Sequence, residues 1–375
     1  MKILIVGGGL QGLSCGCSLY KNHEVSVVTS NLMCRKSRFF KKVYSDINGG
    51  DESLFGLLEK EHFDLLIPVS DMTVPFVSKN KPEIERRFGI KCAVSDYEQV
   101  YQVEDKSRFM NFCEENDVPH PKTARLSEDT LEKDANEVGF PALIKPDYSV
   151  GARGITKVNS IAELQEKYPS VSQKYGSCTL QEFIENKEYY YNVMLYRDAQ
   201  GKFLAYTILK IVRMYPIGAG SSACCITVEN DDILQICKDC LDKLNWVGMA
   251  DFDVLQRLDN GAYKIIEINP RVPASLRAAA VSGINFPEII TKDALEKAIP
   301  EYKYNPGKVL RYMGIDIMWL LKSPKRFQAK PSWLKFIGKD IYYQDIYKQD
   351  PSTWWTWLAE GLKKIGSRNK KLRLQ

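Results

Sequence analysis

The chain has three histidines in 375 residues, no apolar run long enough to span a bilayer, and no acid at the end of its second strand pattern. Each shortage removes a class of function. The most apolar stretch near the C-terminus, Tyr312 to Leu321, is interrupted by Asp316 and falls short of the roughly 20 residues of a membrane span. The N-terminus runs straight from Met1 into Gly7-Gly8-Gly9 without a cleavable-signal pattern. The expected location is therefore cytoplasmic, with the ten cysteines reduced. Cys237-x-x-Cys240 has metal-site spacing but no second pair or histidine beside it. It falls in a helical pattern with Ile233, Ile236, Leu241 and Leu244, where small apolar residues belong on a buried face. Zinc is not implied.

Charge excludes another class. The formal net charge is +5, yet the segment from Gly361 to Gln375 alone carries six cations and no acid. Without it the body is nearly neutral, whereas a nucleic-acid-binding body is basic over a whole face. No nucleic-acid partner is expected.

What is present has a clear grammar. The first hundred residues alternate strand and helix patterns, with strands at Lys2–Val6, Glu24–Thr29 and Leu65–Val69, which predicts a parallel, doubly wound sheet. A helix follows at 106–116. From about Pro141 the pattern shifts to short strands and tight turns, which predicts an α+β region with an antiparallel sheet. Residues after about Pro300 are aromatic, basic and weakly patterned, and fit neither unit. The expected divisions are 1–100, then 101–300 with lobes near 120–185 and 186–300, then an extension over 301–375.

Gly7-x-Gly9-x-x-Gly12 lies between a strand and a helix, the context of a dinucleotide loop. The second strand ends Val28-Thr29-Ser30, however, with no acid for a ribose. A substrate-side loop or a plain turn accounts for it better. An NAD(P)-dependent oxidoreductase stands as a rival reading, and a nucleotide-binding module without catalysis as another.

Four separated segments carry more chemistry. They are Asp105-Lys106-x-x-Phe109; Lys145-Pro146 with Ser149-x-Gly151-x-x-Gly154; Gln181-Glu182-Phe183-Ile184 with Glu188; and Asp253, then Glu267-x-Asn269-Pro270-Arg271. Two lysines on different elements suit a triphosphate, each being a compact cation with three donors. The Ser149–Gly154 loop offers bare backbone amides to phosphate oxygens. Asp253, Glu267 and Asn269 are hard oxygen ligands, and Glu267 and Asn269, two apart on a strand, share a face. Arg271 continues that face and can hold a transferring phosphoryl group. Asp251 shares the strand face of Asp253, as a metal neighbour or an ammonium-binding group.

In this order the segments resemble the ATP-grasp superfamily of carboxylate ligases, over about Lys2 to Pro287. The branch most similar is that of carbamoyl-phosphate-synthase-like and amino-acid ligases, through Ile67-Pro-Val-Ser-Asp71, Arg213-x-Tyr-Pro-x-x-Ala-Gly220 and Ile266-Glu-Ile-Asn-Pro-Arg271. The resemblance implies a Rossmann-like domain before a two-lobed ATP-grasp domain. It makes Lys106 and Lys145 the nucleotide-phosphate lysines and 149–154 a lid. Gln181, Glu182, Phe183 and Ile184 become the adenine hinge, and Glu188 the ribose contact. Asp253, Glu267 and Asn269 become ligands of two Mg²⁺ (or Mn²⁺), and Arg271 with Arg213 the acyl-phosphate contacts. The implied reaction joins a carboxylate to an amine at the expense of ATP, with small-molecule substrates and a homodimer as an expected state. Ser275 and Arg277 are candidate carboxylate contacts. Ala152-Arg153 stands where relatives commonly have a second glycine, which points to a stiffer lid or to one that carries its own phosphate contact. Trp354, Trp355 and Trp357 beside Leu358, Leu362 and Ile365, followed by the basic tail, read as a helix docked on the body or as a membrane-surface segment.

Overall fold

The computed structural model describes residues 1–45, 51–147, 154–218 and 220–356, with the side chains of 51–53 left aside. Ser149, Gly151, Trp357 and the basic tail lie outside the described residues. The first sheet comprises β1 (Lys2–Val6), β2 (Glu24–Val28), β3 (Lys42–Tyr44), β4 (Leu65–Pro68) and β5 (Lys91–Cys92). Its order is β3-β2-β1-β4-β5, all parallel. Strand β1 is buried from its second residue onward, as a strand covered on both faces must be.

The glycine loop after β1 is closely packed. A Cβ on Gly8 would lie 2.0 Å from Thr29 Oγ1, and one on Gly12 would lie 3.0 Å from the Gly7 carbonyl. Packing against the end of β2 thus accounts for glycine at position 8, and the close approach of the loop's own backbone for glycine at position 12.

A small antiparallel sheet follows, built from β6 (Thr123–Arg125), β7 (Ala142–Pro146), β8 (Thr156–Val158) and β9 (Cys178–Glu182), in the order β6-β9-β7-β8. The helix Ile161–Tyr175 covers it, its first turn capped by Ser160. Gly154 has φ +78°, and a Cβ there would meet Pro146 and the Tyr175 ring at 2.8 Å. Both the backbone conformation and the close approach call for glycine at this position.

The third sheet is the largest, with β10 (Tyr190–Arg197), β11 (Phe203–Tyr215), β12 (Ser221–Val228), β13 (Gly248–Gln256), β14 (Tyr263–Asn269), β15 (Val309–Arg311) and β16 (Ile341–Tyr343). Its order is β14-β13-β10-β11-β12-β15-β16. Cys237 and Cys240 are fully buried in the core beneath it, on the helix Asp231–Lys243.

The C-terminal region departs from expectation. Residues after 300 are not a separate appendage, because β15 and β16 extend the third sheet. Residues 347–353 then pack on the first unit: the Tyr347 hydroxyl lies 2.9 Å from Ser14 Oγ, and Asp350 accepts from Ser37 Oγ at 2.6 Å. Trp354 and Trp355 are exposed beside buried Thr353 and Thr356. Among the described residues, no helix is long and apolar enough to cross a membrane.

One buried charge anchors this region. Asp316 is fully buried on the helix Met313–Lys322 and accepts from Arg213 Nε at 2.7 Å, Arg213 Nη2 at 2.9 Å and Arg311 Nε at 2.8 Å. Breaking a buried ion pair on one side leaves an uncompensated charge, at a cost of about 3–5 kcal/mol. Asp316→Ala is therefore expected to lower the unfolding free energy by about that amount, read as a shifted urea midpoint. A loss below about 1 kcal/mol, typical of exposed pairs, would show that the cluster does not hold the fold.

Candidate functional site

The site forms where the three sheets face one another. Antiparallel pairing sets Asp253 opposite Glu267 and Asp251 opposite Asn269, so all four side chains share one face of the β13–β14 ladder. Strand β10 adds Asn192 to that face, opposite Asp253. Its Nδ2 donates to Asp253 Oδ1 at 3.1 Å. Asn192 Oδ1 and Asp251 Oδ1 are buried polar atoms without a hydrogen-bond partner.

Cations arrive from elsewhere in the chain. Asp105 caps the helix Lys106–Glu115 by accepting from the Arg108 amide at 3.0 Å. Lys106 thereby stands in the first turn, its Nζ 4.0 Å from Glu267 Oε2. Lys145, near the end of β7, is buried and donates to Gln181 Oε1 at 2.5 Å. Arg271 donates to Asp71, which follows β4 of the first sheet, and to Asn269 Oδ1 at 3.2 Å.

The electrostatics follow from this crowding. Burial, then the neighbouring Glu267, pushes the Asp253 carboxyl up to about 7. Burial, then Asp253, pushes Asp251 well above the carboxylate range. Burial lowers Lys145 to about 8, with Glu267 opposing that shift and Lys106 reinforcing it. Tyr190 is held well above its ordinary range by burial and by Asp253 and Asp251. Tyr190 and Asn192 are residues of this face that the motifs did not single out. Their period-2 spacing on β10 was the available signal, but the pairing partner was not readable. Among the described residues, no three His, Cys, Asp or Glu side chains form a metal centre on their own.

The structure brings together Lys106, Lys145, Asp253, Glu267, Asn269 and Arg271. It distributes the other expected residues differently. Gln181 is buried, and its side chain is committed to Lys145 and, through Nε2, to Thr123 Oγ1 at 3.3 Å. Glu182 pairs with Arg257, and Lys157 Nζ lies 3.6 Å from the centroid of the Phe183 ring. Ile184 is buried. Any contact of this segment with a purine therefore falls mainly to its backbone. Glu188, at φ +60°, is exposed and pairs with Lys325 at 2.7 Å.

Arg213 corrects the expectation. It is 1% exposed, with Nε and Nη2 on Asp316 and Nη1 on the Pro331 carbonyl at 2.8 Å. Its donors are spent on the fold, so it has no free face for an acyl phosphate. Arg277 is similarly occupied: Nη1 donates to the Tyr343 and Ile346 carbonyls, and the guanidinium stacks 3.8 Å from the Tyr347 ring centroid. Ser275 is buried. A cavity of about 130 Å³ lies between β4–β5 and β13, lined in part by Lys81, Ser95, Tyr196, Arg271 and Asp293.

Residues 103–275 match the ATP-grasp domain family. The chain is 24% identical over 333 residues to D-aspartate ligase from Enterococcus faecium, covering 82% of this chain and 79% of that one. It is 25% identical over 372 residues to the carbamoyl phosphate synthase large chain of Campylobacter jejuni, covering 91% of this chain but 33% of that one. Among solved structures, the dimeric biotin carboxylase domain of Hydrogenobacter thermophilus 2-oxoglutarate carboxylase, with MgADP and bicarbonate, superposes at a TM-score of 0.68. That pair is 14% identical, with 82% of this chain and 73% of the other covered. The oxidoreductase reading of the glycine loop finds no support in these matches.

The like-charge crowding has a measurable consequence. A carboxyl with a raised folded pKa destabilises the fold when ionised. With chelator present, stability contributed by Asp253 is therefore full near pH 4 and is lost as pH rises through about 7. Asp253→Asn is expected to raise the melting temperature at pH 8 by about 2 °C or more and to flatten its pH dependence. A lower melting temperature at pH 8 would contradict the electrostatic account.

Proposed function

We propose that the chain is an ATP-grasp ligase that phosphorylates a substrate carboxylate with the γ-phosphate of ATP. An amine then attacks the acyl phosphate, and an amide, ADP and inorganic phosphate leave. The observation that carries this reading is the convergence of Lys106, Lys145 and Arg271 on the Asp253–Glu267–Asn269 face.

Phosphoryl transfer asks little covalent chemistry of a protein, so positioning and charge stabilisation dominate. Lys106 and Lys145 reach the cleft from two elements and are suited to hold nucleotide phosphates. Gln181 fixes the Lys145 ammonium through a direct hydrogen bond. Arg271, oriented by Asp71 and Asn269, is suited to the oxygens of the transferring group.

The donor set also fits a hard divalent cation. Two carboxylates and an amide oxygen share one face, and a further carboxylate oxygen beside them, Asp251 Oδ1, lacks a partner. Asp253, Glu267 and Asn269 would hold Mg²⁺, with a second ion and Mn²⁺ as extensions of the same reading. The ion would supply charge neutralisation for the phosphate oxygens. The likeness to D-aspartate ligase over most of both chains supports an amino acid as one of the two substrates. The dimer among the structural neighbours supports a homodimer. A cytoplasmic location belongs to the same proposal.

The test is phosphate release from MgATP against pools of amino acids, hydroxy acids and small carboxylates. Release is expected to require one carboxylate and one amine together. Glu267→Gln is expected to reduce it by on the order of 10²–10³-fold, with the circular dichroism unchanged. Near-native turnover in that variant would overturn the metal assignment. Release that needs no amine would overturn amide formation.

A further inference from the structure

Beyond the cleft, the segment from Leu321 to Lys339 carries six cations (Lys322, Lys325, Arg326, Lys330, Lys335 and Lys339) and no acid. Interleaved with them are large apolar side chains turned to solvent: Leu321 is 59% exposed, Phe327 83%, Leu334 67% and Ile337 90%. The first acid beyond it, Asp340, is already held by Lys308 at 2.7 Å, and of the six cations Lys325 pairs with Glu188 at 2.7 Å.

The segment is pinned rather than loose. Arg213 Nη1 holds the Pro331 carbonyl at 2.8 Å and Arg311 Nη1 holds the Lys335 carbonyl at 3.0 Å. Trp333 Nε1 donates to the Asp316 carbonyl at 3.0 Å, and the Tyr343 hydroxyl donates to the Phe336 carbonyl at 2.6 Å. The Trp333 and Phe336 rings meet edge to face at 4.9 Å, with the Arg311 guanidinium over both. The buried Asp316 cluster thus fixes one side of the loop. Phe327, Leu334 and Ile337 stand outside these anchors.

We propose that this loop docks the protein on an anionic lipid bilayer. The composition selects that partner. Five of the six cations are lysine, which is depleted at protein–protein interfaces but suits the diffuse negative field of lipid headgroups. Exposed isoleucine and leucine have no role on a phosphate backbone, whereas apolar side chains between cations insert into the acyl boundary. Lysine stems can lie along that boundary with their charges at the headgroups. The inference is independent of the reaction catalysed.

Vesicle flotation of the full chain tests it. Binding is expected to phosphatidylcholine vesicles containing about one-third phosphatidylglycerol, and not to pure phosphatidylcholine. It is expected to weaken as salt is raised. Each basic residue near the surface contributes about fivefold to partitioning. The triple variant Lys330→Glu, Lys335→Glu, Lys339→Glu is thus expected to lose binding by about 100-fold or more. Phe327→Ser with Ile337→Ser is expected to lose about tenfold or more, with MgATP turnover unchanged in both. These side chains are exposed, so neither variant threatens the fold. Equal binding to neutral vesicles, no binding to either, or retention within about twofold in either variant would overturn the proposal. Retention would assign any attachment to another part of the chain, such as the basic tail.

Discussion

Three carboxylates on one face of a two-stranded ladder repel one another, and much of the site is arranged around that repulsion. Asp251, Asp253 and Glu267 sit together because β13 and β14 pair in a register that permits no other outcome. The compensating cations come from three different places: a capped helix start, the end of a strand in the small sheet, and the turn after β14. No single sheet contains a balanced site. Charge compensation is achieved only when the small sheet and the helix that begins at Lys106 are docked on the large sheet, while Asp71 of the first unit orients Arg271. The fold and the chemistry therefore share one condition.

A second buried charge does comparable work on the far side of the large sheet. Asp316 is shared by Arg213 of β11 and Arg311 of β15, so it ties the long strands of the large sheet to the chain that follows them. Two arginines on one carboxylate leave a net positive cluster. Its remaining donors are satisfied in part by the backbone carbonyls of Pro331 and Lys335. The same residues that stabilise the sheet edge thus dictate the path of the loop beyond it.

The sequence was most legible where chemistry and periodicity coincide. Glu267 and Asn269 are two apart in a strand pattern, and Lys145 falls near a strand end, so local rules sufficed to place them. Arg213 was misread because its partner lies 103 residues further on, where Asp316 looks like an interruption of an apolar run. Gln181 belongs to the expected segment, but only the β7–β9 pairing shows that its side chain serves Lys145. Tyr190 and Asn192 escaped for a related reason. Strand β10 pairs with β13 across the intervening β11, β12 and a helix, and period alone does not reveal that partner. The C-terminal strands are three residues each, too short to leave a pattern.

The clasp between the two ends of the chain bears on the order in which the molecule is made. Tyr347 reaches Ser14 across 333 positions and packs edge to face on Phe39, while Asp350 meets Ser37 across 313. During synthesis Ser14 and Ser37 leave the ribosome more than 300 residues before Tyr347 and Asp350, so this part of the first sheet's surface lacks its cover until then. Closing such distant contacts carries a loop-entropy cost that local pairing does not. The patch around Ser14, Ser37 and Phe39 must therefore wait for residues 347–350 to be covered.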